Sequence, residues 1–131
     1  MRIIASILLC ATASLAAAAE SDARFTPSDL AKLAEVAEPV FSPDGNTVLH
    51  VVTTANLDTD ESQSDLWRVG FDGGERLQLT RTPDSSEWRA QWSPDGQRIA
   101  FLSDRKRDGE DDEDATTQVW VMPATGGDAT R

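Results

Sequence analysis

Residues that carry chemistry are scarce in this chain. Among 131 residues there is one cysteine, Cys10, and one histidine, His50. Cys10 lies in an apolar stretch near the N-terminus, so the rest of the chain can form neither a disulfide nor a thiolate metal centre. A cysteine nucleophile is excluded for the same reason. Positive charge is also scarce: 12 Lys and Arg stand against 23 Asp and Glu, a net charge of −11. Such a surface repels phosphate backbones, which argues against nucleic-acid binding. Long apolar runs are missing as well. Ile3 to Leu15 is the longest, and it falls well short of the roughly 20 residues that span a bilayer.

That run has another reading. Met1-Arg2 gives a short positive start, and Ala16-Ala17-Ala18-Ala19 gives small residues where a signal peptidase cuts. Residues 1–19 are therefore expected to be a signal peptide, cleaved after Ala19 or Ala18. The mature chain is expected to be secreted or periplasmic, with no membrane association after cleavage. A lipid anchor on Cys10 is disfavoured because Leu9, not a small residue, precedes it. Loss of Arg2 takes the net charge from −11 to −12. The acids concentrate in two places: seven lie in 104–114 and four in 56–65. Both segments are expected to be loops.

What the sequence does have is a repeat. Ser42-Pro43-Asp44-Gly45 recurs as Ser93-Pro94-Asp95-Gly96, an offset of 51 residues. An aromatic residue precedes each copy, Phe41 and Trp92. Leu66-Trp67-Arg68-Val69 is echoed by Val119-Trp120-Val121-Met122 at an offset of 53. In both copies a Gly-Gly pair begins six residues after the tryptophan, at Gly73 and Gly126. The two extra residues in the second copy fall between its halves, where a loop can absorb them.

Each unit reads as strands joined by tight turns. In Ser-Pro-Asp-Gly the serine bonds back to the backbone, proline presets φ, and glycine supplies the positive φ that ends the turn. Asp72-Gly73-Gly74 marks a second hairpin, leading into the alternating segment Arg76–Thr80. The expected strands are 38–42, 47–54, 65–70 and 76–80, then 89–92, 98–103 and 118–122. A four-stranded unit of about fifty residues is the size of a β-propeller blade. The fold class expected is all-β: a propeller fragment of about two blades, preceded by a signal peptide and a short helix. Blade 1 is placed at 38–88 and blade 2 at 89–131. Arg131 aligns with Gln78, so blade 2 is expected to be truncated within its fourth strand, which leaves apolar faces and an open edge.

The lead-in, 20–37, carries helix-start chemistry. Thr26 is the expected N-cap, Pro27 occupies the first helical position and Asp29 is the capping-box partner. Leu30, Leu33 and Ala34 give it one apolar face for packing on the propeller. Pro39 ends any helix before it, so two to three turns are expected.

Few side chains are candidates for a site. His50 is the only possible histidine base, but it aligns with Phe101, and a position that accepts Phe is a packing position. The acidic run from Asp104 places Gly109 at the glycine of a Ca²⁺ loop, yet Lys106 and Ala115 break two ligand positions, so a solvated loop is expected. Trp67 and Trp120, at matched mid-strand places, are expected to pack between blades rather than form a ligand platform. Trp88 and Trp92 read the same way. The expectation is that the chain holds no catalytic, cofactor-binding or metal-binding residue, and needs no cofactor.

Taken together, Phe25-Thr26-Pro27-Ser28-Asp29-Leu30, Phe41–Gly45, Ser64-Asp65-Leu66-Trp67 and Trp92–Gly96 resemble the opening of prolyl oligopeptidase family serine peptidases. The acylaminoacyl-peptidase and dipeptidyl-peptidase-like branch is the nearest, and the likeness runs over about 25–131. The resemblance implies a propeller that caps a C-terminal α/β-hydrolase domain bearing a Ser-His-Asp triad, and peptide substrates admitted past the propeller. No Gly-x-Ser-x-Gly elbow occurs in the sequence, so no triad residue transfers to any position here. The alternative is a non-catalytic periplasmic propeller scaffold of the TolB type, which binds other proteins. That type carries an α/β domain before its propeller, whereas only about twenty mature residues precede the first strand here.

Overall fold

The computed structural model describes residues 24–83, 85–106 and 116–131. The expected signal peptide and most of the 104–114 acidic run lie outside these residues. Two antiparallel sheets form, with strands in sequence order. The first contains β1 (Ala34–Phe41), β2 (Thr47–Asn56), β3 (Glu61–Gly70) and β4 (Leu77–Gln78). The second contains β5 (Glu87–Trp92), β6 (Arg98–Ser103) and β7 (Gln118–Pro123). An isolated antiparallel bridge, Val121↔Thr130, adds the beginning of a fourth strand to the second sheet. It sits 53 residues after Arg68↔Leu77 in the first. The expected propeller-blade architecture is thus present.

The two Ser-Pro-Asp-Gly turns are built by the same bonds. The Ser42 hydroxyl donates to Asp44 (2.5 Å) and accepts from the Thr47 N–H (3.0 Å), while the Gly45 N–H donates to the Ser42 carbonyl (2.9 Å). In the second copy Ser93 donates to Asp95 (2.5 Å) and accepts from the Arg98 N–H (2.9 Å). Gly45 and Gly96 take φ of 74° and 68°, the left-handed conformation for which glycine has no steric cost.

Several boundaries depart from expectation. The helix is two turns of 3-10 geometry, Pro27–Lys32, with Thr26 as N-cap and the Asp29 carboxylate accepting from the Thr26 N–H (2.8 Å). Leu30 and Leu33 remain exposed rather than forming a packed face. The chain leaves the helix early because Ala34–Ala37 pairs with Val51–Thr54, so β1 starts four residues ahead of the expected 38. Pro39 is tolerated inside β1 because this is an edge strand and the proline adjoins a bulge. The acidic segment 56–65 is not a loop throughout. Glu61–Asp65 belongs to β3 and pairs with Val52–Asn56, supported by a hydroxyl bond between Thr53 and Ser64 (2.8 Å). Only Leu57–Asp60 turns. Strand β4 is shorter than 76–80, although the Leu79 N–H still donates to the Leu66 carbonyl (2.8 Å). Strand β5 starts at Glu87, two residues earlier than expected.

One feature has no glycine to announce it. Registers slip between Ala37 and Val40 and between Trp88 and Gln91, and Glu38 and Arg89 take φ of 53° and 52° at these bulges. The two positions are 51 residues apart, and the Arg89 N–H donates to the Glu38 carboxylate (2.6 Å). Each blade therefore bends at the same place, and one bend is tied to the other.

The sheets stack face to face, and their seam is the core. Leu49, Val51, Leu66 and Leu79 from the first sheet meet Ala90, Ile99, Phe101, Trp120, Met122 and Ala124. Register explains the choice of residues. Leu49 and Val51 lie opposite Arg68 and Leu66 on one face of the first sheet, while Ile99 and Phe101 lie opposite Met122 and Trp120 on one face of the second. Hydrogen bonds close the seam: Arg68 to the Ala124 carbonyl (3.0 Å) and the Trp92 indole to the Val40 carbonyl (3.3 Å).

Candidate functional site

The most chemically loaded place in the described residues is the end of the seam where β5 begins. Glu87 is fully buried. One of its carboxylate oxygens accepts from Arg105 (2.8 Å) and from the Ser103 hydroxyl (3.2 Å). The other oxygen has no hydrogen-bond partner among the described residues. The Arg105 guanidinium lies over the rings of Phe101 (5.2 Å) and Trp120 (4.9 Å). Cation, carboxylate and two aromatic rings thus form one knot, in which the arginine replaces lost hydration with ring faces and an ion pair. Beside it, Asp65 accepts from Thr80 (3.4 Å). Burial, and next the nearby Glu87 charge, push the Asp65 carboxyl above its ordinary value.

This arrangement corrects part of the loop reading. The run beginning at Asp104 is not simply solvated at its start. The Asp104 carboxylate accepts from the Ser86 N–H (2.7 Å), and Arg105 is the partner of buried Glu87. Residues 107–115, including Gly109 and Ala115 of the Ca²⁺-loop comparison, lie outside the described residues. Neither Glu87 nor Arg105 stood out in the sequence. The only available signal was the place of Glu87 opposite Ser103 once β5 is extended back to residue 87.

His50 is half-buried on the face of the first sheet that looks away from the seam, opposite Trp67. Its counterpart Phe101 lies opposite Trp120 in the second sheet, so the repeat alignment holds in register. Burial, and then the charge of Arg76, hold the imidazole below its usual value. Arg76 itself lies over the Trp67 ring at 4.7 Å. Trp120 and Trp92 pack into or against the seam as expected, while Trp67 faces outward on the far side of the first sheet. Trp88 is half-buried opposite Leu102.

Two concavities accompany the seam. A polar cleft of about 300 Å³ is lined by Asn56, Glu61, Gln63, Ser85, Ser86 and Asp104. A groove of about 290 Å³ separates the two Ser-Pro-Asp-Gly turns and contains Asp44, Arg68, Trp92 and Asp95. Asp44 and Asp95 are held below the usual carboxylate range, first by the Ser42 and Ser93 hydroxyls and then by the N–H groups of Asn46 and Gln97. These bonds hold the turns in shape. Among the described residues no helix is long and apolar enough to cross a membrane.

No family model matches the chain. Two curated peptidases are similar in sequence. Dipeptidyl-peptidase 5 of Porphyromonas gingivalis is 35% identical over 99 residues, covering 76% of this chain and 14% of its own length. The uncharacterized peptidase YuxL of Bacillus subtilis is 29% identical over 112 residues, covering 79% and 15%. The chain therefore spans about one seventh of the curated relatives it matches. Among solved structures, an acylaminoacyl peptidase complexed with Z-Gly-Gly-Phe-chloromethyl ketone superposes with a TM-score of 0.58 at 25% identity, over 77% of this chain and 14% of that one. The β-propeller domain of the Trilobed protease from Pyrococcus furiosus gives 0.54 at 22% identity, over 76% and 27%. A TolB structure from Agrobacterium tumefaciens gives 0.51 at 23%, over 73% and 32%. The last two show the fold alone. The chain is thus similar in sequence to a small part of a dipeptidyl-peptidase and in fold to a small part of an acylaminoacyl peptidase.

Proposed function

We propose that the chain is the opening of the propeller of an exported serine peptidase that acts on peptides. In this reading the two blades help gate access to an α/β-hydrolase domain elsewhere in the same protein. The observation that carries the reading is the 35% identity over 99 residues to a dipeptidyl-peptidase. What the blades contribute is rigidity: a stacked, hydrogen-bonded seam resists bending, so a ring built from such units sets the size of what passes. The TolB-type scaffold remains the second reading, but its likeness is in fold alone.

The test is to express the longest reading frame that contains these residues and treat it with a fluorophosphonate probe. A labelled serine outside residues 1–131, together with release of dipeptides or N-terminal residues from a chromogenic peptide, is the expected result. A protein that folds, takes no label and cleaves nothing would overturn the proposal in favour of a scaffold.

A further inference from the structure

Three Asp-Gly pairs lie among the described residues: Asp44-Gly45, Asp72-Gly73 and Asp95-Gly96. Each stands in a turn between strands with its aspartate exposed, and the glycines take φ of 74°, 85° and 68°. In each, the glycine N–H donates to the carbonyl of the residue two before the aspartate: Ser42 (2.9 Å), Gly70 (2.8 Å) and Ser93 (2.9 Å). The turns differ in what holds the carboxylate. In the two Ser-Pro-Asp-Gly copies the residue two before the aspartate is a serine, whose hydroxyl donates to the carboxylate at 2.5 Å. Asp44 also accepts from the N–H and the side-chain amide of Asn46 (both 3.1 Å), and Asp95 from the Gln97 N–H (3.0 Å). Before Asp72 that place is Gly70, which has no side chain to offer. Among the described residues the Asp72 carboxylate accepts one hydrogen bond, from the Gly74 N–H (2.9 Å).

We propose that Asp72-Gly73 is a self-modification site, at which the chain rearranges to a β-linked isoaspartate, while the two Ser-Pro-Asp-Gly turns protect their own Asp-Gly pairs. The Gly73 main-chain nitrogen attacks the Asp72 carboxyl carbon. The nitrogen's proton and the carboxyl hydroxyl leave as water, and a cyclic imide forms. Hydrolysis returns one water, and opening at the main-chain carbonyl sends the backbone through the Asp72 side chain. Atoms balance and nothing is oxidised or reduced. Glycine suits the attacking place because it has no side chain to hinder the nitrogen, and a Cβ at Gly73 would meet nothing within 4 Å. The reactive form is the neutral acid, since a carboxylate is a poor electrophile. The serine hydroxyls, and then the Asn46 and Gln97 N–H groups, hold Asp44 and Asp95 below the usual carboxylate range, which depletes that form. The same hydrogen bonds also restrain each carboxylate from turning towards the nitrogen. The second blade makes the Gly-Gly turn with Thr125 in the place of Asp72, and Gly126 still takes φ of 90° with its N–H on the Pro123 carbonyl (3.0 Å). The turn therefore does not need the aspartate. The inference does not rest on the peptidase reading.

Ageing tests it on the protein expressed from the longest reading frame that contains these residues. The folded protein is held at physiological temperature and slightly acidic pH, then digested with trypsin. Cleavage after Lys32, Arg68, Arg76, Arg89 and Arg98 places Asp44 in peptide 33–68, Asp72 in 69–76 and Asp95 in 90–98. Isoaspartate is read by electron-based fragmentation and by labelling with an isoaspartate-specific methyltransferase. Peptide 69–76 is expected to carry several-fold more of it than the other two. Ageing in urea is expected to bring the three rates together, because the difference belongs to the folded turns. Asp72→Thr, which copies the second blade, is expected to remove the signal from 69–76 without loss of strands by circular dichroism. Ser93→Ala is expected to raise isoaspartate at Asp95 towards the level at Asp72. If that variant does not fold, the comparison of the three parent peptides decides alone. Equal modification of the three peptides in the folded protein, or no isoaspartate in 69–76, would overturn the proposal. So would a folded Ser93→Ala protein whose Asp95 stays protected. None of these outcomes bears on fluorophosphonate labelling.

Discussion

Asp65 and Glu87 are two carboxylates placed where carboxylates are costly, and they respond differently to substitution. Asp65 is held above its ordinary value by burial and by Glu87. A raised folded-state value means that ionising Asp65 destabilises the fold. That cost is absent below the unfolded value near ~3.9, grows as pH rises to the folded value, and is constant above it. Asp65→Asn should therefore melt at a higher temperature than the parent at neutral pH, with the gap closing as pH falls through that window. A gap that is constant with pH would show that charge is not the cause. Glu87→Ala should do the opposite, because it leaves Arg105 with neither its ion pair nor bulk water. Breaking a buried pair from one side costs about 3–5 kcal/mol, to be read by urea unfolding at fixed protein concentration. The repeat aligns His50 with Phe101 and the two hold matching places in register, but Phe101 is buried in the seam whereas His50 is half-buried on the face turned away from it. The Glu87–Arg105 pair was not legible in the sequence, because its partners are 18 residues apart across a loop and nothing in the local pattern marks a buried charge.

At the scale of elements, the turns were legible and the bulges were not. Ser-Pro-Asp-Gly fixes its own geometry through short-range bonds, so its residue types suffice to read it. The bulges at Glu38 and Arg89 arise from how β1 and β5 must bend against their neighbours, and ordinary side chains occupy the positive-φ positions. The same distinction explains Glu61–Ser64. Their side chains carry little strand propensity, and they extend because the end of β2 needs a partner. Arg89 is exposed, and the structure uses its N–H to reach Glu38. Arg89→Gly keeps that donor and removes the left-handed strain of a side chain, worth roughly 1 kcal/mol. The variant is expected to be as stable as the parent or slightly more so, against the usual loss on placing glycine in a strand. A clear drop in urea midpoint would mean that the arginine side chain, not the backbone, holds the bulge.

Over the whole molecule, neither blade has a core of its own. Of the buried apolar side chains in the one cluster, Leu49, Val51, Leu66 and Leu79 come from the first blade and the remainder from the second. Each sheet alone would present its buried face to water, so removing one removes the reason for the other to fold. The period in the sequence revealed two units, but not that the alternate faces of equivalent strands would meet. That follows only once register places odd-numbered residues of β2 against odd-numbered residues of β6, although the repeat offset of 51 makes these non-equivalent. The two blades should accordingly unfold together. Leu66→Ala in the first and Ile99→Ala in the second each delete a fully buried side chain from the shared seam, at a cost of about 2–5 kcal/mol. Both should lower one and the same transition, followed by far-UV circular dichroism and by tryptophan fluorescence. Trp67 reports from the first blade and Trp88, Trp92 and Trp120 from the second, so the fluorescence samples both sheets. Coincident curves in the parent and in both variants are the signature of a single cooperative unit. Two separated transitions, with Leu66→Ala shifting only one of them, would show that a single four-stranded blade holds itself together without the seam.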